Sequence, residues 1–160
     1  MAGVYEHGSS KRLDFPLPDV TLPELAPFWA AAAVGEFQLP FCDGCGGCRW
    51  YPGETCDQCG GARLSWRRLS GRGTIYSFTT VRHVFLPQYR DLVPFVAALV
   101  VPEEAPTARV ATRLVDIGDR VVRCDDSVVV RFETLRFAGV DGDVVAPLFS
   151  LASTTSGDAS

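Results

Sequence analysis

Beyond Gly71 the chain breaks into short runs of β-branched and aromatic residues separated by proline, glycine and charge, and these runs predict strands. Five are legible. Thr74–Val81 is the first, and Phe95–Val101, a continuous apolar run between Pro94 and Pro102, reads as a strand buried on both faces. Val110–Val115, Val128–Phe137 and Val144–Leu151 follow, with Asp141-Gly142 marking a hairpin between the last two. Five strands with no room for long helices predict a small barrel. An OB-fold fits the count, as do an SH3-like barrel and a short sandwich.

Before Gly71 the pattern differs. Leu25, Phe28, Trp29 and Ala32–Ala33 recur at helical spacing, behind Thr21 as a cap and Pro23-Glu24 as an entry, and Gly35 is the stop. Phe37, Leu39 and Phe41 then alternate, as do Leu64 and Trp66, predicting two short strands around a cysteine-rich centre. The expected organisation is a flexible arm over 1–20, a helix plus ribbon over 21–66, a barrel over 67–151 and a disordered tail over 152–160.

The chemistry lies between the two short strands. Cys42-Asp43-Gly44-Cys45-Gly46-Gly47 recurs fourteen residues later as Cys56-Asp57-Gln58-Cys59-Gly60-Gly61. Two residues between cysteines let both sulfurs of one turn face one cation, and the following glycine lets the backbone wrap round the sulfur. Two such turns supply Cys42, Cys45, Cys56 and Cys59, enough to close a tetrahedral shell around a structural Zn2+ with no open position for substrate. Cys48 also forms a C-x-x-C with Cys45, but in the repeat it corresponds to Ala62, so it reads as a bystander; Cys124 reads as a distant core hydrophobe. A rubredoxin-type iron or a pair of disulfides are the competing readings of the same cysteines.

Composition narrows the function. Of 160 residues 47% are apolar, which suits a real core, and the net charge of −4 counts against a nucleic-acid partner. Neither a transmembrane run nor a secretory signal is visible, so a cytoplasmic protein is expected. No nucleophile elbow, H-E-x-x-H, Walker A or dinucleotide motif occurs, and the two histidines, His7 and His83, stand alone. An autonomous active site is therefore not expected. One asymmetry remains: between Asp57 and Asp91 there is no acidic residue but there are six arginines. Arg67, Arg68 and Arg72 are the candidate phosphate-binding or docking residues, set against an ordinary solvated face. The stretch Val84-Phe85-Leu86-Pro87-Gln88-Tyr89 in a connecting loop makes Phe85 a candidate for lining an acyl or pantetheine channel or covering a partner, set against a loop folded back over the barrel mouth.

The order of these features carries a resemblance. A Pro27-Phe28-Trp29 helix entry is followed by a Gly35-Glu36 turn and a four-cysteine ribbon holding Tyr51-Pro52. Then come Ser70-Gly71-Arg72-Gly73-Thr74-Ile75-Tyr76-Ser77-Phe78-Thr79 and Pro94-Phe95-Val96-Ala97-Ala98-Leu99-Val100. Over residues 25–150 this resembles the DUF35 family. Departures are Leu39-Pro40-Phe41 before the first knuckle, Glu103-Glu104-Ala105-Pro106, and the long route from Ile117-Gly118 through Cys124-Asp125-Asp126. The resemblance implies a rubredoxin-like zinc ribbon followed by a five-stranded OB-fold barrel. It also implies a non-catalytic subunit that binds a thiolase-fold enzyme (thiolase, acyltransferase or aldolase) and helps hold its acyl-CoA substrate. The alternative from a different class is a single-stranded nucleic-acid-binding ribbon and OB module.

Overall fold

The computed structural model describes residues 16–153, so the flexible arm expected over 1–15 and the disordered tail expected over 154–160 lie outside the described residues. One α-helix, α1 (Ala26–Ala33), precedes seven strands, with a 3-10 turn (Pro87–Leu92) between the third and fourth: β1 (Gln38–Cys42), β2 (Leu64–Arg68), β3 (Arg72–Val81), β4 (Phe95–Pro102), β5 (Val110–Val115), β6 (Ser127–Leu135) and β7 (Val144–Leu151). β1 and β2 form a separate antiparallel pair, Cys42 opposite Leu64 and Gln38 opposite Arg68. The other five close into a barrel in the order β3-β4-β5-β7-β6. All its pairings are antiparallel except β5 with β7, which run parallel. Counting barrel strands alone, that order is 1-2-3-5-4 with the third and fifth parallel. This is the Greek-key closure of an OB-fold, and it excludes an up-and-down barrel or a sandwich.

Local chemistry explains the elements. β3 begins behind Gly71, whose φ of +76° is a left-handed conformation that glycine adopts freely. Gly73 then lets β4 close in, because a Cβ there would stand 2.5 Å from the Val101 carbonyl oxygen. A register shift between Ile75 and Ser77 bends β3 into the barrel wall. Ile75, Val100, Val110, Val128 and Phe149, all essentially inaccessible, fill the interior.

Two expectations are corrected. Thr21 does not cap the helix: its hydroxyl donates to Asp19 Oδ1 at 2.6 Å, and α1 starts later, behind Leu25, which offers no side-chain cap. β4 is not buried on both faces, since only Ala98, Val100 and Pro102 are buried. The strand covered on both sides is β7, continuously buried from Ala146 to Leu151. One face of β7 completes the barrel interior through Phe149, and α1 lies across the strand with Phe28, Ala31 and Ala32 buried. Alanine on that helix face allows the close approach. The route from Asp116 to Asp126 holds no strand. Arg120 pins it, donating to the carbonyls of Ile117, Asp116 and Leu151 at 3.1, 2.5 and 3.2 Å, and Ile75 exchanges backbone bonds with Asp125 and Asp126.

The ribbon and the barrel share one apolar core. Phe37, Leu39 and Phe41 belong to the same buried cluster as Ile75, Val110 and Phe149, and the Phe37 ring meets Phe149 edge-on at 5.6 Å. At the start of the described chain, Pro16 and Leu17 are buried, Leu17 beside Gly142 in the β6–β7 loop.

Candidate metal centre and its surroundings

The repeat in sequence is a repeat in hydrogen bonding. Gly46 N–H donates to Cys42 C=O at 2.8 Å and Cys42 N–H to Gly47 C=O at 2.9 Å; Gly60 to Cys56 and Cys56 to Gly61 reproduce the pair at 2.7 and 2.8 Å. Gly46 and Gly60, one residue past the second cysteine of each knuckle, have φ of +73° and +71°. Each knuckle is thus a tight turn that only glycine closes without strain.

The two turns face each other. The sulfurs of Cys42, Cys45, Cys56 and Cys59 all lie within 4.8 Å of one another, with Cys42–Cys59 and Cys45–Cys56 at 3.6 Å. Four thiolates around an ion at about 2.3 Å would sit about 3.8 Å apart, so the cage has the right size. The glycines crowd it: a Cβ at Gly44 would come within 3.3 Å of Cys59 Sγ, and one at Gly61 within 3.3 Å of Cys42 Sγ. Ionisation is uneven. The backbone amides of Cys45 and Gly44 hold the Cys42 thiol down at about 7, and chiefly the Gln58 amide lowers Cys56. Cys59 is pushed up to about 11: the Gly61 amide favours its thiolate, but the neighbouring sulfurs and burial outweigh that amide. Cys59 therefore ionises after Cys42 and Cys56, and a cation between the sulfurs would favour its thiolate. The donor set therefore fits a soft divalent metal.

Cys48 stands apart from the cage. It bridges back to Phe41, it is half-buried, and burial pushes its thiol up. Cys124 is exposed, against the expectation of a core position. Arg49 was not singled out by sequence. It is the one buried charged side chain among the described residues, at 8% exposure, with Nη2 3.9 Å from Asp57 Oδ1 across the knuckles. The only sequence signal for it was its place between Cys48 and Trp50.

The three candidate arginines are exposed and have separate partners. Arg67 lies over the Phe41 ring at 4.7 Å, Arg68 faces Glu36 at 3.3 Å, and Arg72 faces Glu103 at 3.6 Å. Arg67 and Arg68 are consecutive on β2, so they point to opposite faces. Phe85 is completely exposed on the β3–β4 loop. A cavity of about 580 Å3 opens near that loop's far end, lined by Thr80, Arg82, Phe95, Arg113, Asp116 and Glu133 among others. Arg113 and Glu133 pair across it at 3.7 Å. Sequence reasoning passed over this pair, although a charge between Thr112 and Leu114 in an apolar strand was visible.

A four-cysteine ribbon packed on an OB barrel defines a class of small two-part β proteins. Residues 66–133 match the family model of the C-terminal OB-fold domain of ChsH2. Among solved structures, a chain of the Ltp2-ChsH2(DUF35) aldolase is similar, with a TM-score of 0.71 and 26% identity, covering 86% of this chain and 100% of that one. A DUF35-family protein of unknown function from Sulfolobus solfataricus is also similar, with a TM-score of 0.53 and 14% identity, covering 84% of this chain and 89% of that one, which speaks for the fold alone. No curated protein matches. The chain is thus similar to DUF35 proteins. No helix among the described residues is long and apolar enough to cross a membrane.

Proposed function

We propose that this chain is a non-catalytic subunit of a thiolase-fold enzyme acting on acyl-CoA, held in shape by one Zn2+ on Cys42, Cys45, Cys56 and Cys59. The observation that carries the reading is the likeness, over 86% of this chain, to a chain of the Ltp2-ChsH2(DUF35) aldolase. The closed sulfur cage supports it from the other side, because four thiolates leave the metal no open position for chemistry. Zinc when bound supplies folding free energy, of order 10–16 kcal/mol in isolated zinc modules, to a ribbon that could not fold on its own surface. Arg49 sets a buried positive charge in that ribbon, where four thiolates on a divalent ion leave net negative charge. The helix and ribbon over 21–66 form the docking part, and the barrel over 67–151 helps hold the acyl-CoA. Arg67, Arg68, Arg72 and Phe85 contribute to that surface, with the cavity at Arg82 and Arg113 as the recess for the acyl arm. The protein works in the cytoplasm, where thiols stay reduced and four of the six cysteines serve metal rather than disulfides.

The test is affinity capture of the tagged chain from its native host, followed by a thioester assay. A thiolase-like chain should co-purify in fixed stoichiometry, and acyl-CoA turnover should need both chains. Thioester turnover by the purified chain alone, or capture without any thiolase-like chain, would reject the reading.

A further inference from the structure

Two indole N–H groups lie buried without an acceptor among the described residues, Nε1 of Trp29 and Nε1 of Trp50. Both side chains line one cavity of about 200 Å3, between α1, the segment joining the knuckles, and β5 and β7. A second hollow of about 260 Å3 shares Leu25 and Tyr51 with it and runs past Leu22 and Pro52. An unmet buried donor costs about 1–3 kcal/mol, so two of them beside one recess mark a place where acceptors belong. The recess is also aromatic. Tyr51 stacks on Trp50 with ring centroids 4.3 Å apart and planes at 28°, and Phe28 packs against both Trp29 and Trp50. Tyr51 is 59% exposed, a large apolar plate open to the outside. The only charged side chains in the two linings are Glu24 and Glu54.

We propose that this groove docks an extended, proline-bearing segment of another protein that carries a basic residue. A polyproline II strand has no internal hydrogen bonds, so its carbonyls are free to accept from the two indoles. Proline brings no N–H of its own. That matters because the inner recess has few acceptors, and one of them, the Pro147 carbonyl, already faces the Thr112 hydroxyl at 3.4 Å. Proline rings pack on aromatic plates such as Trp50–Tyr51, the physics shared by aromatic-lined grooves that bind such peptides. Glu24 and Glu54, the charged side chains of the lining, select a cation at the outer end. The inference does not depend on the partner being a thiolase-fold enzyme or on acyl-CoA.

The experiment uses the full 15N-labelled, zinc-loaded chain and an acetylated decapeptide of proline and leucine ending in two arginines. The chain has three tryptophans, and Trp66 on β2 is the internal control. The indole N–H resonances of Trp29 and Trp50 are expected to move downfield and saturate while that of Trp66 stays. Tyr51→Ala, at an exposed position, should weaken binding about tenfold. Glu24→Gln with Glu54→Gln should abolish the preference over a control peptide with glutamate in place of arginine. Indole resonances that do not move at millimolar peptide overturn the proposal, as does an equal response to the control. A shift that follows protein concentration with no peptide present also overturns it, by giving the groove to a second copy of this chain.

Discussion

At the residue scale, the six cysteines divide by what surrounds each sulfur. Four converge with Gly44 and Gly61 close against the sulfurs and backbone amides aimed at the thiolates. Cys48 sits one knuckle-length further along and bridges back to Phe41, where burial keeps its thiol protonated. The expected outcome is asymmetric. Cys56→Ser should remove most of the bound zinc, measured by metal analysis of the purified chain, whereas Cys48→Ser should keep one zinc per chain. Equal loss from both would mean that the repeat register misassigns the ligands. The arginines show the opposite behaviour. In sequence Arg67, Arg68 and Arg72 form one positive zone, but strand alternation and local carboxylates give each its own surroundings. A charge run in sequence measures net charge, while direction is set by the pleat.

At the element scale, β3 is the strand on which closure depends. Its first residues pair with β6 on one side and β4 on the other, and Gly73 opposite Pro102 lets the chains approach. Gly73→Ala places a methyl against the Val101 carbonyl, and a backbone oxygen has nowhere to move. We expect a loss of about 1–3 kcal/mol, read as a lower urea midpoint at unchanged slope. The strands themselves were legible because β-branched runs bounded by proline and glycine have few alternatives. Their faces were less so. Phe95–Val101 reads as doubly buried from composition, yet β7 holds that place because α1 crosses its outer side. Thr21 reads as a helix cap, yet α1 starts only at Ala26, so no first-turn amide reaches its hydroxyl oxygen, and the hydroxyl donates locally to Asp19.

At the scale of the whole molecule, the ribbon is not an appendage. Phe37, Leu39 and Phe41 enter the same core as the barrel, so removal of the metal should be felt beyond the knuckles. Chelation of the zinc-loaded chain should lower the thermal midpoint and broaden near-ultraviolet signals from both parts together, in one transition. A barrel transition unmoved by chelator would show that the two parts fold independently.

What the sequence determined by itself was whatever depends on short spacing: the paired knuckles, the strand runs, the missing catalytic motifs and the order of modules that resembles a family. Those follow from covalent geometry and local propensity, which act over a few residues. The tertiary structure alone decided the barrel order β3-β4-β5-β7-β6, the burial of Arg49, and the meeting of Trp29 with Trp50 across the ribbon. Each of these joins residues far apart in the chain, through packing that no local window contains.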